Sequence, residues 1–581
     1  VYTVNFLARQ TWDSTSMYNH IVNKWTCDPI VSVDPYYKEC YQHLMDYFDK
    51  WLESHGHTDI VRFTTFAYHF TIIAGKGGGD KYRDWLGYTD TISVPALKDF
   101  AKKKKYRIRP EHFVDKGYYN ATYRVPSKEY LDWMNFIHSF VVKFAKELVK
   151  KAHRAGKKTA MFQGDHWIGT EVYSDDYKDI GIDIDIGAVE CGVALRRLSD
   201  APGPQAKEAR FYPYFFPDVF RKGGNPKKES VSNWMQLRRA ILRKRIDRIG
   251  YGGYLSLAAK FPEFVDHVTL ICDEFRSILI NSKKSESLKA PIKVAVLNAW
   301  GKWRSWLQNT GVEQKFYIPS RIDVTETAGS NPLECLSGLP VEVKFINFED
   351  IRKNGIPAGT NVIINTGDAE TAWSGGHHWA DPEVTAVIRE WILGGGGFVG
   401  IGGPTAFEHG GRYFQLSDVM GVEKETGNTI ASPSVRFKVA EKHFITEDQP
   451  QPISQGSLTN QVYLTDKKAE VLKSAPGGHV LMATNKYGKG RSVFIANLPY
   501  SLSNSRLLLR TLFWVTGKEK AIKKWFSSNI NTDCAFYPKT GYLAVINNVG
   551  STEKTEVYDG KGKKKKLTLK PHELKWIKIR R

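Results

Sequence analysis

Two long amphipathic patterns in the first half of the chain each stop at a glycine and lead at once into β-branched and aromatic residues. YKECYQHLMDYFDKWLESHG ends at Gly56 and runs into DIVRFTTFAYHF (59–70). KEYLDWMNFIHSFVVKFAKELVKKAHRAG ends at Gly156 and runs into KTAMFQG. A glycine just past the last turn takes the left-handed conformation that closes a helix, and a strand straight after it returns the chain to a sheet. Repetition of that punctuation predicts βα units and a parallel sheet. VYTVNF at the start, IDIDIGAVE (182–190) and ARFYPYFF (209–216) read as further strands, and helical patterns at 229–247 and 262–281 flank RIGYGGYLSL. No connection is long enough for a lid over an open sheet. The pattern predicts a partly irregular (β/α) barrel of the TIM type over residues 1–290. About six strands are legible against eight in a full barrel, so the expectation is a barrel that is incomplete or begins upstream of Val1.

A chain of 581 residues exceeds what one core holds. SKKSESLKAP (282–291) is a polar linker that ends on proline. Beyond it KVAVLNAWG, VEVKFINFEDI, TNVIINTG, GGGGFVGIGGP and RSVFIANLP read as strands, and DPEVTAVIREWILGG and SRLLLRTLFWVTG as helices. This alternation predicts a flavodoxin-like or glutaminase-like doubly wound α/β domain over 291–520. Its elbow, IGGPTAF (401–407), holds neither Cys nor Ser, which points to a structural or oligomeric role. GGHHW (375–379) carries two adjacent histidines that would point different ways, so no metal site is expected there. Residues 521–581 are turn-rich and strand-like and predict a small antiparallel β domain.

The formal net charge of +21 suggests anionic partners. The excess is spread along the chain, with dense runs only at KKKKYRIR (102–109) and KGKKKK (561–566). No zinc-finger spacing or aromatic-basic RNA-binding signature accompanies them, so the basic residues read as solvated surface, and neither nucleic acid nor membrane is an expected partner. Cys27, Cys40, Cys191, Cys272, Cys335 and Cys534 are widely and irregularly spaced, as reduced thiols of a cytoplasmic protein would be. No uncharged apolar run reaches the ~18 residues that span a bilayer, and no signal-peptide pattern is visible.

The chemistry concentrates in KKTAMFQGDHWIGTEVY (157–173). A short apolar run stops at Gly164, and Asp165, His166, Trp167 and Glu171 follow. Parallel barrels place their active sites at the C-terminal ends of the strands. Asp165 falls just past such an end, as do Arg9, Gln10, Trp12, Asp13 and Asn19 after the first strand. Arg62 lies within a strand, where a charge needs an anionic partner. Lys207 and Arg210 lead into the aromatic strand RFYPYFFPD. A glycosidase needs two carboxylates at such a mouth. Guanidinium forks suit phosphate instead. One acid beside an arginine-lined anion site is what phosphorolysis requires, because phosphate is already an anionic nucleophile. From the residues alone, pairing of Arg62 and Arg210 with barrel carboxylates is equally open. A hydrolase, with Glu190 of IGAVECG as its second carboxylate, and a non-enzymatic binding protein for carbohydrate or nucleic acid are the other readings.

ARQTWDSTSMYN, GDHWIGTE, ARFYPYFFPDVF and RIDRIGYGGYLSL resemble the galacto-N-biose/lacto-N-biose phosphorylase family, glycoside hydrolase family 112. Members of that family cleave β-galactosides with inorganic phosphate and inversion, giving α-D-galactose 1-phosphate. The resemblance covers nearly the whole chain and implies the same domain order of barrel, glutaminase-like domain and C-terminal β domain. It implies that Asp165 is the general acid, that Arg62 and Arg210 bind phosphate and the galactosyl unit, and that Lys207 assists them. Asn19 would contact the same region and Phe216 would pack on the galactose ring. It implies no cofactor beyond inorganic phosphate as co-substrate, and a homodimer. N-acetylglucosamine, N-acetylgalactosamine and L-rhamnose all remain open as acceptors. Two departures stand out: Val172 occupies the place of an expected proline after GTE, and the family's upstream basic phosphate contact has no counterpart in the matching segments.

Overall fold

The structure, a computed structural model, describes residues 34–63, 93–117, 120, 123–163, 175–306, 331–427, 435–450, 461–558 and 564–579. These residues form two compact units. One takes those up to Ala188 together with Asp200–Glu208, and the other takes Val189–Ser199 and those from Ala209 onward.

The first unit contains α1 (Lys38–Ser54), β1 (Ile60–Phe63), α2 (Val94–Lys104), α3 (Lys128–Arg154), β2 (Lys158–Gln163) and most of β3 (Ile184–Val189). β1 pairs with β2 in parallel, with Arg62 opposite Ala160, and β2 with β3, with Met161 opposite Asp185. The Ser127 hydroxyl accepts the Tyr130 N–H at 3.1 Å and starts α3. Trp133, Ile137, Val141, Phe144 and Leu148 recur at helical spacing and bury the face that packs on Met161 and Tyr177.

Gly156 takes φ 72° and closes α3 as expected. Gly56 does not repeat the device. α1 ends through His55, whose N–H donates to the Trp51 carbonyl at 3.0 Å. The ammonium of buried Lys157 donates to the carbonyls of His55, Gly56 and Thr58 at 2.9, 3.3 and 2.8 Å, so a side chain satisfies that turn from outside. The basic run at 102–109 lies on the surface as expected, with Lys102, Lys103, Lys105, Arg107 and Arg109 exposed, and it has a local role as well. Its lysines end α2, which Ser93 caps and Pro95 opens, and Lys102, Lys103 and Lys104 sit where a helix C-terminus favours positive charge.

β4 (Ala206–Phe215) begins in the first unit and continues into the second, which also holds α4 (Gly192–Asp200), α5 (Pro226–Ile241), β5 (Arg248–Gly253) and α6 (Pro262–Ser282). Sheet order β1-β2-β3-β4-β5 equals chain order, the topology of a (β/α) barrel wall. The VYTVNF segment and residues 64–70 of the second predicted strand lie outside the described residues. RIGYGGYLSL is strand only to Gly253 and then turns into a single helical turn, Leu255–Ala258. The turn requires glycine: Gly253 has φ 110°, and a Cβ there would meet the Phe215 nitrogen at 2.6 Å.

The rest of the second unit begins with β6 (Lys293–Leu297), α7 (Asn331–Ser337), β7 (Glu342–Ile346), α8 (Phe348–Asn354), β8 (Val362–Gly367) and α9 (Pro382–Leu393). β9 (Gly397–Gly402), β10 (Glu470–Ser474), β11 (Val480–Tyr487), β12 (Gly490–Ile495) and α10 (Leu502–Val515) follow. The sheet order is β10-β11-β12-β9-β8-β6-β7. Its parallel strands run 2-1-3-4-5, the flavodoxin order, and β10 and β11 add an antiparallel edge that sequence periodicity does not signal. VEVKFINFEDI, expected as one strand, divides at Asn347. The Asn347 side chain accepts the Asp350 N–H at 2.8 Å, and the Asp350 carboxylate accepts the Asn347 N–H at 3.1 Å, a capping box that opens α8. In GGHHW, His378 stacks on Phe348 at 5.0 Å, and burial pushes its pKa down to about 4.

The C-terminal segment forms β13 (Thr532–Tyr537), β14 (Tyr542–Asn547), β15 (Glu553–Tyr558), β16 (Lys564–Leu569) and β17 (Leu574–Lys578), as antiparallel β13-β14-β17 and the hairpin β15-β16. Arg238 and Arg239 of α5 and Arg243 just past its end, all buried, tie this unit together. Arg238 donates to Glu274 at 2.9 Å, to the His572 carbonyl at 2.8 Å and to the Asn547 carbonyl. Arg239 donates to Asp533 at 2.7 Å and to the Tyr500 hydroxyl at 3.1 Å. Arg243 donates to the Gly338 carbonyl at 2.9 Å.

Burial pushes the Asp533 carboxyl up, but the charges of Arg239 and Arg243 outweigh it and hold its pKa below the ordinary value. A depressed carboxyl stabilises the fold above its unfolded pKa of about 4, and that contribution is lost as pH falls through the folded pKa. Asp533→Asn should therefore lower stability by about 3–5 kcal/mol at neutral pH, because it strands the Arg239 charge. It should also flatten the acid limb of the stability curve below pH ~4. Urea midpoints across pH, with Asp273→Asn in the exposed Arg276–Asp273 pair as control, test this. Equal effects from the two variants would show that the joint is not held by the buried charge pair.

Candidate functional site

The alternation of β4 sorts its side chains. Lys207, Ala209, Phe211, Pro213 and Phe215 are buried, and Glu208, Arg210, Tyr212 and Tyr214 on the other face are half-buried. Ala209 and Phe211 pack with Trp234, Leu237, Ile271 and Phe275 of α5 and α6, so the buried face looks toward the helices. The other face begins at Ala206, which packs on Ala160, Phe162, Ile184 and Ile186 of β2 and β3. The polar and aromatic residues of β4 continue along that face toward the C-terminal end of the strand.

Arg210 donates from Nη1 to the Tyr251 carbonyl of β5 at 3.1 Å. Its stem lies over Gly250, where an added Cβ would come within 3.5 Å of Cδ. The Tyr212 and Tyr214 rings stack at 4.7 Å and 11°. Phe216 stands one residue past the strand and meets Tyr214 and Tyr254 edge-on, each at 5.9 Å. This face of β4 thus carries a guanidinium at mid-strand followed by a ladder of rings that reaches the strand end.

In the first unit Arg62 is exposed near the C-terminal end of β1, with its guanidinium 5.6 Å from the centroid of the Phe162 ring. Among the described residues no carboxylate lies within ion-pair distance of it. Lys207 is on the opposite face of β4 from Arg210. Its ammonium donates to the Ala201 carbonyl at 2.7 Å and stands 3.5 Å from Asp185, a fully buried carboxylate that Tyr177 also approaches at 3.4 Å. Asp165 and Asn19 lie outside the described residues. Arg62, Arg210, Lys207 and Phe216 are therefore each placed on or just beyond barrel strands, with Lys207 turned to the helix side.

Sequence reasoning did not single out the groups that hold the strand ends. Glu334 of α7 accepts the Gly192 and Val193 N–H groups at 3.0 and 2.8 Å and so caps α4, directly after Glu190. Asn233 of α5 contacts the carbonyls of Val189 and Glu190. Both read in sequence as ordinary polar positions of helices, and no local signal marks them. Among the described residues, no group of three or more His, Cys, Asp or Glu is placed to hold a metal ion. A cavity of about 690 Å³ in the second unit, lined by Asn225, Lys227, Lys228, Tyr500, Ser501 and His572 among others, involves none of the predicted site residues.

One face of β4 presents Arg210 and the stacked Tyr212 and Tyr214 rings, a surface of the kind that carbohydrate-active barrel enzymes use. The chain belongs to the lacto-N-biose phosphorylase family, whose N-terminal TIM barrel domain matches residues 1–290, central domain 293–520 and C-terminal domain 525–577. A 1,3-β-galactosyl-N-acetylhexosamine phosphorylase of Lachnoclostridium phytofermentans is 42% identical over 579 residues, which are 99% of this chain and 78% of the relative. The enzyme of that name from Bifidobacterium longum subsp. longum is 40% identical over 608 residues, covering 99% and 80%. A D-galactosyl-β-1→4-L-rhamnose phosphorylase of L. phytofermentans is 35% identical over 568 residues, covering 96% and 76%.

The Lys207–Asp185 pair generates a test of its own. Lys207→Met leaves a buried carboxylate without its cation and should destabilise the protein by about 3–5 kcal/mol. Adding Asp185→Leu removes the stranded charge and should recover most of the loss, since apolar replacement of both partners of a buried pair is often near neutral. Melting temperatures of the single and double variants report this. A double variant less stable than Lys207→Met would overturn the pairing.

Proposed function

We propose that this chain catalyses the inverting phosphorolysis of a β-galactoside disaccharide. An oxygen of inorganic phosphate attacks the anomeric carbon from the α face, and the bond to the glycosidic oxygen breaks. Asp165 gives its proton to that oxygen, and the products are α-D-galactose 1-phosphate and the free acceptor sugar. Arg62 and Arg210 bind phosphate through charge-assisted hydrogen bonds, while Lys207, whose charge Asp185 meets on the helix side of β4, takes no direct part. Asn19 contacts the galactosyl region, and Phe216 offers its face to the apolar side of the ring. No cofactor takes part, because the nucleophile arrives already ionised.

The observation that carries this reading is Arg62, an exposed guanidinium near a barrel strand end with no described carboxylate to neutralise it. An anionic co-substrate supplies the counter-charge that the described residues do not. A hydrolase would need a second carboxylate to activate water. The higher identity to 1,3-β-galactosyl-N-acetylhexosamine phosphorylases than to the rhamnose enzyme supports an N-acetylhexosamine acceptor.

Phosphorolysis should require phosphate, and proton NMR of the first turnovers should show the α-anomer of galactose 1-phosphate. Arg62→Lys and Arg210→Lys keep the charge but lose the fork, so each should raise KM for phosphate more than KM for disaccharide. Asp165→Asn should lower turnover by roughly 10²–10⁴-fold with the fold intact. Free galactose released at one rate with and without phosphate would instead establish the hydrolase.

The central domain, with no nucleophile at its elbow, is proposed to support a homodimer. Light scattering at micromolar concentration should give twice the chain mass, and a clean monomer would refute the assignment. A cytoplasmic location is proposed on the free state of Cys40, Cys191, Cys272, Cys335 and Cys534. No helix of the described residues is long and apolar enough to cross a membrane.

A further inference from the structure

Asn233 is a buried amide within α5, 7% exposed, whose side chain reaches the strands. Its Nδ2 donates to the carbonyls of Val189 and Glu190, at 3.3 and 2.8 Å, where β3 ends. Its Oδ1 accepts the backbone N–H of Tyr212 in β4 at 3.3 Å. Two carbonyls on one side and an N–H on the other admit only one orientation of the amide, and that orientation satisfies all three. The side chain has the same donor and acceptor as a peptide unit, and it bridges β3 and β4 as a peptide unit would.

The end of β3 is gripped from a second side. Glu334 accepts the Gly192 and Val193 N–H groups, and the Leu195 N–H returns to the Cys191 carbonyl at 3.1 Å. The corner from Val189 to Val193 is therefore a fixed point, and Asn233 transmits its position to β4 at Tyr212. Arg210 and Tyr214 flank Tyr212 on the same face of the strand. A buried amide that ties a rigid corner to the strand carrying a ligand-binding arginine sets where that arginine stands.

We propose that Asn233 is a positioning residue for phosphate binding, acting through β4 on Arg210. The proposal rests on the phosphorolysis reading, in which Arg210 is a phosphate ligand. Asp in place of Asn233 keeps the acceptor for Tyr212 but sets a carboxylate oxygen against two carbonyls. The strands must part there, and the guanidinium shifts relative to the anion. Small misplacement of a positioning group is costly to a site built on geometry.

The test uses the full chain and compares Asn233→Asp, Arg210→Lys and the double variant in steady-state phosphorolysis. Asn233→Asp should raise KM for phosphate about tenfold, the effect of one buried hydrogen-bond mismatch. Turnover at saturating phosphate should fall far less. In the double variant the rise in KM should be well below the product of the two single effects, because both act through one guanidinium. A product of independent effects, or an unchanged KM in Asn233→Asp, overturns the proposal. Arg210→Lys alone tests the underlying reading. If it leaves KM for phosphate unchanged, Arg210 is not a phosphate ligand and the proposal falls with it, whereas a rise there with none in Asn233→Asp refutes the proposal alone. If Asn233→Asp does not fold, hydrogen exchange of the wild-type chain decides the matter. The Tyr212 amide should exchange as slowly as the interior of β4, and exchange at the rate of an open loop would show that no clamp exists.

Discussion

Burying a guanidinium is tolerable only when its charge and its donors are met. The last turn of α5 and the residues just after it bury three within six positions. Arg238 is met by Glu274 and by two carbonyls of the C-terminal segment, Arg239 by Asp533 and Tyr500, and Arg243 by the Gly338 carbonyl. Those partners come from a barrel helix, from the doubly wound domain and from the antiparallel strands. None of these segments can leave without stranding a charge, and this dependence makes the second unit one body. The same helix carries Asn233 two turns from its start, so the element that unites the domains also reaches the strand ends where the chemistry is proposed.

Whether a charge belongs to the fold or is open to a ligand depends on which face of a strand it occupies. On β4 the parity rule separates Lys207, met by Asp185 and the Ala201 carbonyl, from Arg210, which shares a face with Tyr212 and Tyr214. A buried ion pair is a structural fact about the fold. An exposed arginine near a strand end, as at Arg62, is an electrostatic deficit that a ligand can correct. In the proposed reaction phosphate would correct it and is itself the nucleophile, so the same interaction would serve binding and chemistry. A carboxylate pair would demand the opposite: an environment that keeps one acid protonated and the other ionised.

Much of the architecture was legible because it is written in local patterns. The long helix closed by Gly156, the alternation of strand and helix after residue 290, and the strand-rich tail each follow from periodicity and turn chemistry. The misreadings trace to particular side chains, two of them distant in sequence. Gly56 sits where a closing glycine would, but Lys157, a hundred residues on, already satisfies the turn's carbonyls. The strand expected across Asn347 breaks because its side chain and that of Asp350 cap a helix more favourably than two further residues extend a ladder. α4 was not anticipated, since the cap that starts it is Glu334, supplied from another domain.

The sequence by itself determined the class of fold, because hydrophobic period and glycine punctuation are properties of short segments, and it named a candidate acid and arginines through the resemblance of short motifs. Tertiary structure alone decided that Lys207 and Arg210 face opposite ways, that Asp185 needs a buried cation, and that Asn233 and Glu334 hold the end of β3. Each of those facts depends on which distant backbone group lies within about 3 Å of a side chain. Hydrogen bonds and ion pairs act only at such contact distances, and no segment of sequence contains the coordinates of its partner.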